Sequence, residues 1–159
     1  MSMPNQAYML DTNLFNDVLS ESVPVKTFCE LRLFATHVQA DELRATKNLE
    51  RRNALLSVFK DIEPENVVTR SAVWNVTAWN QANWSKDDGV FEKMLARLKE
   101  LDAASKKKRP LANQQCDILI AETAVKNGLT LVTGDRNLRV VTSEFGGRAV
   151  TLAELQNGI

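Results

Sequence analysis

Three short apolar runs in this sequence each give way abruptly to acidic residues. In chain order, the runs and the acids that follow them are Ala7–Leu10 with Asp11, Leu33–Gln39 with Asp41 and Glu42, and Leu129–Val132 with Asp135. Runs of this length are typical of buried strands, and stretches with helical spacing separate them. This alternation predicts an α/β protein with a mainly parallel sheet that helices cover on both faces.

The remaining pattern supplies the elements between and after these strands. A helix is expected after Asp11, capped by Thr12 or Asn13, and a helix over 43–60 should end near Asp61–Pro64. Further predictions are, in chain order, a helix over the tryptophan-rich segment 67–84, an amphipathic helix over 90–101, a loop over 103–110, a helix over 114–126 followed by a left-handed Gly128, a helix near 137–143, a strand over 149–152 and a terminal helical turn.

The three acid-bearing strand ends have a common consequence. In parallel sheets, ligands bind outside the carboxyl ends of the strands. Asp11, Glu42 and Asp135 are therefore expected at one edge of the sheet, although they are far apart in the chain.

Carboxylates gathered in this way need a neutralising partner. Two of them about 4 Å apart repel by roughly 4 kcal/mol at an effective dielectric constant near 20. Protons, an Arg or Lys side chain, or divalent cations would relieve this repulsion. Oxygen ligands favour hard ions such as Mg²⁺ or Mn²⁺, and two such ions can activate water for hydrolysis of a phosphodiester.

The bulk properties restrict the class of protein. The 159 residues suit a single domain over 1–159, and the start of the chain lacks the features of a signal peptide, so a cytoplasmic protein without a membrane segment is expected. Twenty basic and twenty acidic side chains balance, which leaves any anionic partner to a local patch. The single histidine, His37, makes a His-rich zinc site improbable.

Four segments in this order resemble the PIN-domain nucleases, particularly the VapC toxins of toxin-antitoxin modules. They are DTN at 11–13, DEL at 41–43, the CDILIAETA helix that contains Asp117, and LVTGDRNL around Asp135. The resemblance spans roughly Met9 to Leu138. It implies a PIN-like three-layer α/β/α sandwich, dependence on Mg²⁺ or Mn²⁺, endonucleolytic cleavage of RNA, an antitoxin partner and a homodimer.

Carried over by position, the resemblance implies a specific set of site residues. The catalytic and metal-binding acids would be Asp11, Glu42, Asp117 and Asp135. Asn13 and Thr133 match the polar residues that support them. The chain departs from the pattern at Asn137, where many relatives have another acid, and this would weaken binding of a second metal ion. The span between Glu42 and Asp117 is also longer than in compact VapC toxins.

Each of these residues also has a purely structural interpretation. Asp11, Asp117 and Asp135 are acids of the kind found at helix starts and turns, and Asp41 competes with Glu42 for one role. A basic run at Lys106, Lys107, Lys108 and Arg109, together with Arg44, is a candidate RNA-binding surface, although exposed basic residues are common without such a role.

Two other functions remain open at the level of sequence. One is a non-catalytic PIN-fold module that binds RNA or protein, which Asn137 favours. The other is a phosphatase of the haloacid dehalogenase kind, but that chemistry needs a second Asp two residues after the first, and position 13 is Asn. The identity of the RNA, a preference for RNA over DNA, and the number of metal ions do not follow from the sequence.

Overall fold

The sheet of this protein consists of parallel strands with β1 at its centre. The structure is a computed structural model that describes residues 6–21, 23–71 and 88–158. Within those residues, the strands are β1 (Ala7–Leu10), β2 (Arg32–Ala35), β3 (Glu65–Asn66), β4 (Thr130–Val132) and β5 (Arg148–Val150). They lie in the order β3-β2-β1-β4-β5, and every neighbouring pair is parallel. The carboxyl ends of β1 and β4 therefore finish side by side.

Helices follow the strands and connect them. They are α1 (Thr12–Ser20), α2 (His37–Arg44), α3 (Leu49–Ile62), α4 (Val90–Ala104), α5 (Leu111–Lys126), α6 (Arg136–Glu144) and α7 (Leu152–Asn157), and a short 3₁₀ turn covers Val25–Phe28. Across the described ranges, none of these helices has the length and apolar character needed to cross a lipid bilayer.

Two apolar cores lie on opposite faces of the sheet. Met9 and Leu131 point to one face, where they pack with apolar side chains of α4, α5 and α6. Leu10 and Val132 point to the other face, where α1, α3 and α7 cover them. This alternation follows from the period of two along a strand. The predicted fold class, helices on both faces of a parallel sheet, is confirmed.

The second strand is shorter than the predicted run over 33–39. It ends at Ala35, and Thr36 then caps α2. The Thr36 hydroxyl accepts from the Val38 amide, and the Gln39 side chain accepts from the Thr36 amide, which is the reciprocal pattern of a capping box. Because these local bonds favour a helix start, the β-like run divides into a strand and a helical turn.

Helix boundaries differ from the sequence prediction at two further places. The helix expected over 43–60 is two helices, because α2 ends at Arg44 and Asn48 caps α3 by accepting from the Arg51 amide. The helix expected over 67–84 is wrong for its first residues, 67–71, which are not helical. Residues 72–84 lie outside the described part of the chain.

The second half of the chain follows the prediction more closely. Helices α4, α5 and α6 and strands β4 and β5 all occur where periodicity placed them, within a few residues at each end. Gly128 has a φ of 67°, the left-handed conformation expected after α5. The predicted loop over 103–110 begins slightly later, after α4 ends at Ala104.

One buried side chain joins α2 to the end of β1. Gln39 is fully buried, and its Nε2 donates to the Leu10 carbonyl at 2.7 Å while its Oε1 accepts from the Thr36 amide at 2.9 Å. The Leu10 carbonyl lies immediately before Asp11. The same amide therefore fixes the start of α2 and the end of β1.

We expect Gln39→Met to lower the free energy of unfolding by roughly 2–6 kcal/mol. Methionine has a similar shape but leaves two buried backbone groups without partners, and each such group costs about 1–3 kcal/mol. Urea denaturation measures the change. Gln156→Met, at an exposed position in α7, is the control. Equal stability of the Gln39 variant and the wild type would contradict this role.

Candidate active site

Asp11 is held rigidly at the point where β1 ends. It is the N-cap of α1, and its Oδ1 accepts from the Thr12 amide at 2.8 Å. Its Oδ2 accepts from the Thr133 hydroxyl at 2.6 Å, across the neighbouring strand end of β4. The same hydroxyl accepts from the Asp135 amide at 3.1 Å. Thr133 thus ties together the two strand ends that carry the first and fourth acids.

Glu42 reaches the same region from α2. Its Oε1 and the Thr12 hydroxyl are both buried, and neither forms a well-aligned hydrogen bond. Burial, together with the charge of Asp11, raises the pKa of Glu42 to about 7, although Thr12 and Cys116 lie close enough to Glu42 to act in the opposite direction. By contrast, Asp41 is exposed and pairs with Arg44 at 3.1 Å. Of the two adjacent acids, the structure places Glu42 inside and Asp41 at the surface.

Asp117 completes a group of mutually repelling acids. It projects from α5, and burial, followed by the charge of Asp11, raises its pKa to about 8. Burial also raises the pKa of Asp11, which is 1% exposed, although its hydrogen bond from Thr133 acts in the opposite direction. Three carboxyl groups from distant segments therefore share one buried region in which ionisation of each is opposed.

Asp135 has a different environment. Its Oδ1 caps α6 by accepting from the Asn137 and Leu138 amides, and its Oδ2 accepts from Lys107 at 2.8 Å and Arg109 at 2.9 Å. Burial alone would raise the pKa of Asp135, but these two cations outweigh it and the pKa is lowered. Asp135 is therefore a stabilised carboxylate, unlike the other three acids.

Arg109 is the cation that connects the acids. Its Nη1 donates to Asp117 and to Asp135, and its Nε and Nη2 donate to the two oxygens of Asp102 at 2.7 and 3.2 Å. Asp102 is 2% exposed and also accepts from Gln114 at 2.9 Å. Asp102 thus holds one edge of the guanidinium by two hydrogen bonds. The Nη1 group of the same guanidinium donates to Asp117 and Asp135.

The remaining predicted residues lie in varied positions. Asn13 is exposed in the first turn of α1, and Arg44, Lys106 and Lys108 are exposed as well. Asn137 donates from its side-chain amide to Asp102 at 2.8 Å. An acid at position 137 would face Asp102 directly, so an amide is the group that suits this place.

Two residues of the site were not predicted from the sequence. The sequence predicts Thr12 only as a cap of α1, but Asp11 is the cap and the Thr12 hydroxyl is buried beside Glu42. Asp102 falls between the helix predicted over 90–101 and the loop predicted over 103–110, and neither prediction gives it a role. A signal for it does exist, because Asp102 falls four residues after Leu98 on the apolar stripe of α4, where an acid is out of place.

The acids supply carboxylate oxygens, which suit a divalent ion, but they do not surround a single ion position. Among residues 6–21, 23–71 and 88–158, no three acidic, Cys or His side chains converge on a single ion position. One observation nevertheless fits a hard cation, because the buried Oε1 of Glu42 has no well-aligned hydrogen-bond donor. Between Asp117 and Asp135, the guanidinium of Arg109 already supplies a positive charge. The donor set is made of oxygens, as Mg²⁺ and Mn²⁺ prefer.

A surface groove borders the site on the side of Asp135. Its polar lining includes Lys107, Arg136 and Asn137, and its apolar lining includes Leu101 and Val140. Lys107 and Arg136 are exposed basic residues. The groove therefore places positive charge beside one of the acids, Asp135.

No protein-family model and no curated protein matches the sequence. Solved structures do align with it over most of its length. VapBC-5 of Mycobacterium tuberculosis, a member of the VapBC family of toxin-antitoxin systems, is 21% identical, with a TM-score of 0.48 and coverage of 92% of this chain and 98% of that chain.

Two further structures align in the same way. PAE2754 of Pyrobaculum aerophilum is 14% identical, with a TM-score of 0.49 and coverage of 96% of this chain and 95% of that chain. FitAcB of Neisseria gonorrhoeae is 15% identical, with a TM-score of 0.40 and coverage of 89% and 95%. With identities this low, the function of this chain has to follow from its own side chains.

We expect the metal-free protein to lose stability as the pH rises between about 4.5 and 8. The folded state keeps protons on Glu42 and Asp117 up to about pH 7 and 8, whereas the unfolded chain releases them near 4.5 and 3.8. The folded state therefore binds more protons in this window, and its advantage disappears as the pH passes through the raised values. Urea denaturation in a chelator, at a series of pH values, measures the slope.

Two substitutions test which acids cause this pH dependence of stability. Asp117→Asn should remove part of the slope, while Asp41→Asn, at an exposed position of α2, should keep it. Asp102 and Asp135 have lowered pKa values and act only at pH below about 3.8, outside this window. A stability that stays constant or rises from pH 4.5 to 8 would contradict the repulsion among these acids.

Proposed function

We propose that this chain is a PIN-type endoribonuclease that depends on Mg²⁺ or Mn²⁺ and hydrolyses phosphodiester bonds. The observation that supports this most is the burial of Asp11, Glu42 and Asp117 within electrostatic reach of one another at the carboxyl edge of the sheet. Such an arrangement is unfavourable for stability and is explained by a cation that binds there during function. The order of the four sequence motifs points to the same chemistry.

The side chains of the site have distinct tasks in this proposal. Asp11, Glu42 and Asp117 would hold the divalent ion, which supplies a Lewis acid and lowers the pKa of a water molecule to be used as nucleophile. Thr133 and the Thr12 amide keep the Asp11 carboxylate in one orientation. A fixed orientation matters because a preorganised carboxylate needs no rearrangement when charge develops in the reaction.

The groove beside Asp135 suits the RNA strand. Lys107 and Arg136 lie along it, and exposed basic side chains position phosphates without reading sequence. Of the predicted basic run, Lys106 and Lys108 are exposed and remain candidates for contacts with flanking phosphates, as does Arg44 on α2. Arg109 lies deeper, among the acids themselves.

The partner proteins are proposed from the motif resemblance. A VapC-type toxin is held inactive by an antitoxin and forms a homodimer, and we extend both features to this chain. A small neighbouring reading frame that encodes a DNA-binding protein would support the toxin assignment. Cleavage mapping on total cellular RNA would identify the RNA substrate.

A non-catalytic binding module is the alternative function. The observation that favours it is the position of Arg109, which occupies space between Asp117 and Asp135. Titration with Mn²⁺ separates the two functions, because a module without catalysis should bind no ion at the acids and should turn over no RNA.

We expect Asp11→Asn to reduce the rate of RNA cleavage at least about 100-fold, which is the scale on which single electrostatic groups act in active sites. Asparagine preserves the cap of α1 but removes a charge that the ion requires. A chelator should abolish cleavage by the wild type, and added Mg²⁺ or Mn²⁺ should restore it. Cleavage of a labelled RNA, read on a denaturing gel, measures both effects.

The control for this experiment is Asp41→Asn. Asp41 is exposed and pairs with Arg44, so its loss should leave the cleavage rate within about twofold, as for surface changes in general. Circular dichroism should show the same secondary structure in all variants. Undiminished cleavage by Asp11→Asn would overturn the proposed function.

A further inference from the structure

The four acids of the site are not equivalent in their hydrogen bonding. A carboxylate accepts about four hydrogen bonds, and Asp135 already accepts four, two from backbone amides and two from Lys107 and Arg109. Glu42, in contrast, is bonded by no cation of the described residues, and the groups beside its buried carboxyl are the Thr12 hydroxyl and the Cys116 thiol, neither of which is a well-aligned donor to Oε1. As the side chains stand, Asp135 has no free position for a metal ion, whereas Glu42 does.

The cation next to Asp135 is built into the structure. Arg109 is 12% exposed in its side chain and is fixed by both oxygens of Asp102. Asp102 is itself held by the side chains of Gln114 and Asn137 at 2.9 and 2.8 Å. A guanidinium carries its charge at every physiological pH, so this positive charge is permanent.

A second divalent ion at Asp135 would therefore have to displace two cations. Displacing Arg109 would leave Asp102 buried with its main counter-charge removed, and an uncompensated buried charge is strongly unfavourable. Lys107 is more exposed, at 41%, and adds a second charge on the same carboxylate oxygen. At Glu42, by contrast, the groups beside the buried carboxyl are the neutral Thr12 hydroxyl and Cys116 thiol, and none of the described cations has to be displaced there.

We propose that Arg109 and Lys107 take the place of a second metal ion beside Asp135. The chain then binds one divalent ion, for which Asp11, Glu42 and Asp117 supply the ligands once they close around it. Of these three acids, Asp117 receives one bond from Arg109, whereas Asp135 receives bonds from two cations. Asp102 and Asn137 are positioning residues that keep the guanidinium in place. This inference rests on the proposed nuclease function. It specifies that one metal ion supplies part of the positive charge at the site and that Lys107 and Arg109 supply the rest.

The stoichiometry of Mn²⁺ binding tests the proposal without reference to activity. Electron paramagnetic resonance of free Mn²⁺, confirmed by calorimetry, counts the ions bound per chain. We expect one ion on the wild type and two on the double variant Lys107→Gln/Arg109→Gln. Lys108→Gln, at an exposed position of the same basic run, should still bind one.

Asp135→Asn identifies the residue that holds the additional ion. In the wild-type background this change should leave one bound ion, because Asp135 is not a ligand there. In the Lys107→Gln/Arg109→Gln background it should reduce two bound ions to one. Loss of the single ion from the wild-type background would overturn the proposal, since Asp135 would then be a ligand in spite of its cations.

Misfolding of the double variant would not prevent the test. Adding Asp102→Asn removes the buried charge that Arg109 leaves behind, and this triple variant should also bind two ions. Two ions on the wild type, or one ion on every folded variant that lacks Lys107 and Arg109, would overturn this inference and leave the nuclease function standing. No ion on any variant would overturn both.

Discussion

Repulsion among buried carboxylates is the constraint on which this site depends. Asp11, Glu42 and Asp117 come from three separate helices or strand ends, and burial opposes the ionisation of each. The fold tolerates this repulsion because other contacts stabilise the surrounding elements. β1 lies between two parallel strands, and the Gln39 side chain of α2 donates to the carbonyl of Leu10, the last residue of β1. The acids are thus held together mainly by contacts between other residues, to which Asp11 adds the cap of α1 and the hydrogen bond from Thr133.

The same fold gives acids that are neighbours in space two different environments. Thr133 is hydrogen-bonded to Asp11 and to the backbone of Asp135, so the two acids share a support. Yet Asp135 is saturated by cations and amides, whereas Asp11 repels its neighbours. The difference arises from the loop before α5, because Lys107 and Arg109 both pair with Asp135, whereas among the described cations Asp117 pairs with Arg109 alone and burial still dominates its pKa.

Much of this arrangement could be predicted from the sequence, because it depends on local pattern and topology. The period of the apolar residues gives strands and helices, and parallel strands bring their carboxyl ends to one edge. Asp11 and Asp135 lie at that edge, as the pattern predicts. Glu42 lies on a helix and not directly after a strand, because the capping box of Thr36 and Gln39 outweighs the β-branched character of the run.

The role of Arg109 could not be predicted in the same way, since it depends on a side chain reaching across the fold. In sequence, Arg109 is the last member of an exposed-looking basic run that ends at a proline. Its partner Asp102 lies seven residues earlier, at the end of an amphipathic helix, and only packing of α4 against α5 and α6 brings the two beside Asp117 and Asp135. Once Asp102 is buried there, a counter-charge is required, and Arg109 is the cation whose planar fork satisfies both Asp102 oxygens and still reaches the acids. The basic run is therefore divided by the fold. Lys106 and Lys108 remain at the surface, while Arg109 becomes part of the electrostatic balance of the site.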